Sequence, residues 1–168
     1  MTKLSRLFLV PVLVSLFAAC ASSPPVDVPA DGGPHIGNSW FEWRAQTLGI
    51  TPAEARARDE ALPNGEDGTV PAPGTLDADT QLEGALLWRA ECARCHGANG
   101  DPPEPAPGQV KLRTWNGMGA KMGFTFGGDR MRAGVYRKIL VGGGAMPGWK
   151  GYLSREQIWA LVNHMEHL

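Results

Sequence analysis

The chain has 168 residues with 16 Lys+Arg, 17 Asp+Glu and a net charge of −1. That balance excludes a strong overall field toward nucleic acid or a polybasic hold on a membrane. Its 22 glycines and 14 prolines demand much loop, and the length suits one compact domain with extensions.

Residues 1–19 read as a targeting segment. Lys3 and Arg6 supply a basic start, and Leu7 to Phe17 form an apolar run too short for a comfortable bilayer span. The run ends in Phe17-Ala18-Ala19-Cys20, which resembles the lipobox of bacterial lipoproteins. That resemblance implies export, lipidation of Cys20 and a periplasmic protein held to a membrane by its lipid. An ordinary signal peptide cut after Ala21 is the alternative, and it would discard Cys20. The lipoprotein reading is preferred because Cys20 is the one cysteine outside the motif described below.

Residues 20–34 follow as a linker of Pro, Gly, Ser and Asp with little to bury. Residues 35–78 form an acidic extension in which two short helices are predicted. The first runs from Ser39 to Leu48 and carries Trp40, Phe41 and Trp43. The second starts at Thr51-Pro52-Ala53-Glu54, a capping box with proline at the first helical position, and runs to Leu62. The aromatics of the first helix either dock a partner or fold back onto the rest of the chain. Folding back is favoured, since apolar surface left in water is costly. Pro63 to Pro73 reads as a second flexible stretch. Residues 20–78 carry 3 Lys+Arg against 9 Asp+Glu, and residues 79–168 carry 11 against 8. Seven of those bases fall between Lys111 and Lys138 with one acid, Asp129. Such a cluster either steers an acidic redox partner or is simply a solvated loop.

The chemistry sits in Glu91-Cys92-Ala93-Arg94-Cys95-His96-Gly97. Two cysteines three apart with a histidine directly after the second form the attachment motif for one covalent c-type haem. Each sulfur adds to a vinyl group of the same porphyrin, and the histidine then lies under the ring as an iron ligand. A thioredoxin-like reading needs a βαβ setting, which the flanking sequence does not offer. Zinc needs further ligands at short spacing, and His164 and His167 stand some seventy residues away.

From about Asp79 onward the chain resembles a class I cytochrome c, on three stretches. A helix runs into the motif, with Asp77 or Asp79 as its N-cap and Leu82, Leu86 and Ala90 at helical spacing. Gly84 lies eight residues before the first haem cysteine, where the family has a glycine that lets the last helix cross closely. Ser154 to Leu168 carries a Ser154–Gln157 capping box and the apolar stripe Ile158, Leu161, Val162 and Met165. His164 stands there in place of the family's usual aromatic residue and reads as a packed histidine. Between them, Gly142-Gly143-Gly144-Ala145-Met146-Pro147 resembles the family's ligand loop.

The resemblance implies a mainly α fold of three to four short helices around one haem, with His96 and Met146 as axial ligands. Met118 and Met122 are the rival thioethers, placed in an irregular Gly-rich loop. Met131 opens a helix predicted from Asp129 to Val141, and Met165 lies on the apolar stripe. Lys121 to Phe126 is the one candidate extended piece between Gly100 and Gly128. The family also implies a proline carbonyl, from Pro103, Pro105 or Pro107, accepting from the second nitrogen of His96. Arg113 and Trp115 are candidates to hold the haem propionates. The expected function is single-electron transfer between respiratory redox partners by a carrier that is not itself an enzyme. A haem-bearing subunit of a larger respiratory oxidoreductase is one alternative. A haem peroxidase or gas-binding protein is the other, should Met146 not ligate.

Overall fold

A computed structural model describes residues 34–168, so the targeting segment, Cys20 and nearly all of the linker lie outside the described residues. Among the described residues the structure is helical, with isolated bridges at Gly143–Met146 and Lys150–Leu153 and no strand. The elements are α1 (Asn38–Leu48), α2 (Pro52–Ala61), α3 (Ala78–Leu87), a π-helical turn (Trp88–Cys92), α4 (Ala93–His96), α5 (Met118–Val141) and α6 (Arg155–Glu166).

Local signals explain most helix starts. Thr51 and Glu54 satisfy each other's backbone N–H ahead of α2, and Ser154 and Gln157 do the same for α6. Asp77, rather than Asp79, caps α3 by accepting from the Thr80 N–H at 2.9 Å.

The core lies where α3, α5 and α6 meet. Leu87, Trp88, Phe124, Tyr136, Ile139, Ile158, Trp159, Leu161 and Val162 form its centre. The predicted α6 stripe is buried throughout. On α3 the stripe differs from expectation. Leu86 is buried but Ala90 is exposed, and Thr80, Glu83, Gly84 and Leu87 face inward instead. The cause is α6, which crosses at Gly84. A Cβ there would stand 2.6 Å from the Ala160 carbonyl carbon and oxygen, so only glycine lets the two backbones approach this closely.

The extension is folded onto this core. Trp40 is buried, Trp43 stacks on His35 at 4.9 Å, and Arg44 reaches across to α6. The Arg44 guanidinium pairs with Glu156 at 2.6 Å and Asp77 at 2.8 Å, and Thr80 donates to the same Glu156 oxygen at 2.9 Å. Burial would lower the pKa of Arg44, but Asp77 and Glu156 outweigh it and hold the guanidinium above its ordinary value. Asp59 of α2 accepts from the N–H groups of Glu156 at 2.7 Å and Arg155 at 3.1 Å, so it caps α6 from outside. Burial pushes the Asp59 carboxyl up even against those hydrogen bonds. His35 donates its N–H to Glu83 and offers its carbonyl to Gln157, which ties the start of the described chain to the α3–α6 crossing.

Two further expectations are corrected. Pro63 to Pro73 is not free along its length, because the Pro63 carbonyl accepts from Trp159 Nε1 at 2.8 Å and Gly65 is buried against Tyr136. The segment Met118 to Gly127 is helix, neither irregular loop nor extended, and it joins the predicted Asp129–Val141 helix across a break at Gly128 (φ 49°, ψ −132°). Its glycines argue against helix by propensity, at roughly 1 kcal/mol each. Burial of Ala120 and Phe124 overrides them, and a Cβ on Gly127 would press on Met131 at 2.9 Å.

Candidate haem site

Helix α3 does not pass straight into the motif. It widens into the π-helical turn Trp88–Cys92, which ends on the first cysteine, and α4 then carries Cys95 and His96. One turn of π-helix inserts an extra residue and rotates everything after it, a distortion found often at functional sites. Gly97 stops α4 with a left-handed φ of 76°, and a Cβ on it would stand 2.0 Å from the Asp101 carbonyl oxygen. The chain therefore doubles back directly behind His96, and the glycine closing the motif is required by backbone contact.

Cys92 is half-buried and Cys95 exposed, with no disulfide between them. Burial pushes the Cys92 thiol up to about 12, with Glu91 adding to the rise. A thiol that keeps its proton at neutral pH is the opposite of a thioredoxin-type thiolate. Among the described residues, no three His, Cys, Asp or Glu side chains come together as a metal cage. His96 is half-buried, and burial lowers its pKa, so its imidazole is neutral and able to ligate. Its Nδ1 is enclosed without a hydrogen-bond partner. None of the carbonyls of Pro103, Pro105 and Pro107 serves it, contrary to the expectation from the family.

Arg113 and Trp115 are brought together. The guanidinium lies 5.0 Å over the indole ring, and Trp115 is fixed by its backbone N–H to the Gly100 carbonyl and by Phe124 at 6.4 Å. The Trp115 Nε1 is buried with no partner. An enclosed indole N–H beside an exposed guanidinium suits a carboxylate of the kind a haem propionate carries.

Met146 sits in a tight reversal. Gly143 N–H donates to the Met146 carbonyl at 2.9 Å and Met146 N–H to the Gly143 carbonyl at 3.3 Å. Trp149 N–H returns to the Ile139 and Leu140 carbonyls, so the loop closes back on the end of α5. Gly142 and Gly148 face each other there, and a Cβ on Gly142 would stand 2.5 Å from the Gly148 nitrogen. The loop leaves Met146 half-buried and packed against the hydrophobic core. The rivals are exposed: Met118 is 73 % exposed and Met122 50 %, both on α5.

The donor set fits a c-type haem: two sulfurs three residues apart, a neutral imidazole, a half-buried thioether packed on the core and an unpartnered indole N–H. The cleft of about 540 Å³ between residues 70–76, Gln81, Arg132 and the end of α6 contains none of these groups. Its one arginine, Arg132, is already paired with Glu166 and Asp129.

Neither the curated proteins nor the solved structures contain a match to this chain. The family model described as cytochrome c oxidase, cbb3-type, subunit III, matches residues 79–165, from the start of α3 to the last turn of α6. That stretch is more than half of the chain and holds the whole cysteine–histidine motif, so the protein belongs to this family and carries a c-type cytochrome domain with covalently bound haem c.

Proposed function

We propose that the protein is a membrane-anchored, periplasmic monohaem cytochrome that passes single electrons between two respiratory redox proteins. What supports this reading is the setting of Met146: a closed glycine loop holds it half-buried against the core, while Met118 and Met122 stand exposed on α5. The haem supplies a one-electron iron couple. Cys92 and Cys95 would hold the porphyrin by thioethers, and His96 would offer a neutral imidazole to the iron. Met146 would offer it a thioether, a ligand that favours the ferrous state and raises the potential. Trp115 and Arg113 would receive the propionates. With His96 and Met146 both bound, no site would be left on the iron for a substrate, which supports a carrier's role.

The family description favours one second reading, a haem-bearing subunit within a larger respiratory oxidoreductase. Among the described residues no helix is long and apolar enough to cross a membrane. Cys20 is the proposed anchor, since two or three acyl chains bind stably where one is marginal. Replacing Cys20 by Ser is expected to move a still-red protein from the membrane to the soluble fraction, and unchanged membrane retention refutes the anchor.

Met146→Ala tests the carrier reading. Haem attachment is expected to persist, because the motif is untouched. The weak far-red band from sulfur to ferric iron is expected to vanish, the reduction potential to fall, and cyanide or carbon monoxide to bind readily. Met118→Ala and Met122→Ala are expected to change none of these. A band that survives Met146→Ala assigns the ligand elsewhere, and its absence from the wild type points to the peroxidase or gas-binding alternative.

A further inference from the structure

The loop that carries Met146 is closed at its two ends by different means. At its exit the closure is backbone: the Trp149 N–H reaches the Ile139 and Leu140 carbonyls, and the Lys150 N–H the Leu140 carbonyl, all at 3.1 Å. At its entrance α5 ends, and the last carbonyls of a helix have no following turn to donate to them. Lys138, in the last turn of α5, fills that role. Its own carbonyl accepts from the Gly142 N–H at 2.9 Å. Its ammonium donates to the Gly142 carbonyl at 3.2 Å and to the Gly143 carbonyl at 3.3 Å. The helix dipole favours a cation at this end as well.

The Gly143 carbonyl joins the lysine to the methionine. The same oxygen accepts from the Met146 N–H at 3.3 Å, while the Gly143 N–H donates to the Met146 carbonyl at 2.9 Å. One acceptor thus takes a bond from the ammonium and another from the backbone of Met146. Residue 143 leaves room for the ammonium only as glycine. A Cβ there would stand 2.8 Å from Lys138 Nζ, and its φ of 136° is one that L side chains rarely adopt.

We propose that Lys138 is a positioning residue for the axial thioether: its ammonium ties down the Gly142 and Gly143 carbonyls and so holds shut the loop from which Met146 reaches the iron. The inference rests on the reading that Met146 ligates. Opening the loop at its entrance breaks two charge-assisted hydrogen bonds, so the form with a free sixth position is rarer with the ammonium than without it. Lys138 is exposed, and solvent competes for its bonds, which keeps the effect moderate. The exit stays closed without it, so Met146 remains the resting ligand.

The test is cyanide binding to the full-length ferric holoprotein, at concentrations where the rate has levelled off and loss of Met146 from the iron limits it. Lys138→Met keeps the stem and removes the ammonium. It is expected to raise the limiting rate about three- to tenfold, the worth of roughly one net hydrogen bond, with the far-red sulfur-to-iron band retained. Lys138→Arg keeps charged donors and is expected to stay near wild type. Lys150→Met removes the same charge at the exit, where backbone makes the closure, and is expected to leave the rate unchanged. A Lys138→Met protein with the wild-type limiting rate overturns the proposal. So does a Lys150→Met protein that matches its increase, since the cause is then charge and not the carbonyl bonds. A wild type without the sulfur-to-iron band overturns the ligand assignment and this proposal with it. A wild type that has the band, loses it in Met146→Ala and yet is indifferent to Lys138→Met overturns this proposal only.

Discussion

Replacing Arg44 by Leu is expected to cost about 3–5 kcal/mol of folding stability, the range for removing one partner of a buried ion pair. The side chain is 6 % exposed and Glu156 11 %. Without the guanidinium, Glu156 keeps the Thr80 hydroxyl, but it and Asp77 lose their shared cation while Asp59 stays nearby at the start of α6. The double variant Arg44→Leu/Glu156→Leu is expected to recover part of the loss, because an apolar pair leaves no uncompensated charge. Denaturant titration of the three proteins reads this directly. A cost below about 1 kcal/mol, the ceiling for ordinary exposed pairs, would mean that the extension is a loosely held arm.

Gly84→Ala is the second large effect, expected at about 3 kcal/mol, the upper end for overpacking a close-fitted core. The added methyl would meet backbone of Ala160 at 2.6 Å, and backbone yields only if α6 moves as a body. Ala160→Gly is therefore expected to rescue little, since it removes the Cβ at 2.9 Å and leaves the carbonyl. Gly134→Ala is the control. It sits in α5 with nothing within 4 Å of the new methyl, and is expected to stabilise by about 0.5–1 kcal/mol through helix propensity and unfolded-state entropy. Thermal unfolding of the two variants should move in opposite directions, and equal shifts would contradict the close crossing.

What the sequence made legible was local. Thr51 with Glu54, and Ser154 with Gln157, announce their helices because each cap is complete within four residues. The cysteine–histidine motif is equally self-contained. Contacts that span the chain were not legible. Asp59 read only as one acid of the extension and Asp77 only as a candidate N-cap, yet Asp59 also caps α6 across 97 residues of sequence and Asp77 also pairs with Arg44. The first half of α5 was missed because its glycines speak against helix, while the burial of Phe124 that decides the matter depends on tertiary packing. The π-helical turn at Trp88 has no signature in residue types. Nor is the setting of His96 Nδ1 legible, since three prolines stood ready in the sequence and none of their carbonyls accepts from it in the structure. Arg113 and Trp115 were chosen for their chemistry alone, and the structure places the guanidinium 5.0 Å from the indole centroid.

The central claim is that Cys92 and Cys95 bond one haem covalently. Acid–acetone extraction of the denatured, purified protein tests it most directly, followed by the pyridine haemochrome spectrum of each fraction. All haem is expected to stay with the polypeptide, at one per chain, with the spectrum of a porphyrin whose two vinyl groups are saturated by thioethers. Haem that passes into the solvent with its vinyl groups intact would contradict the account.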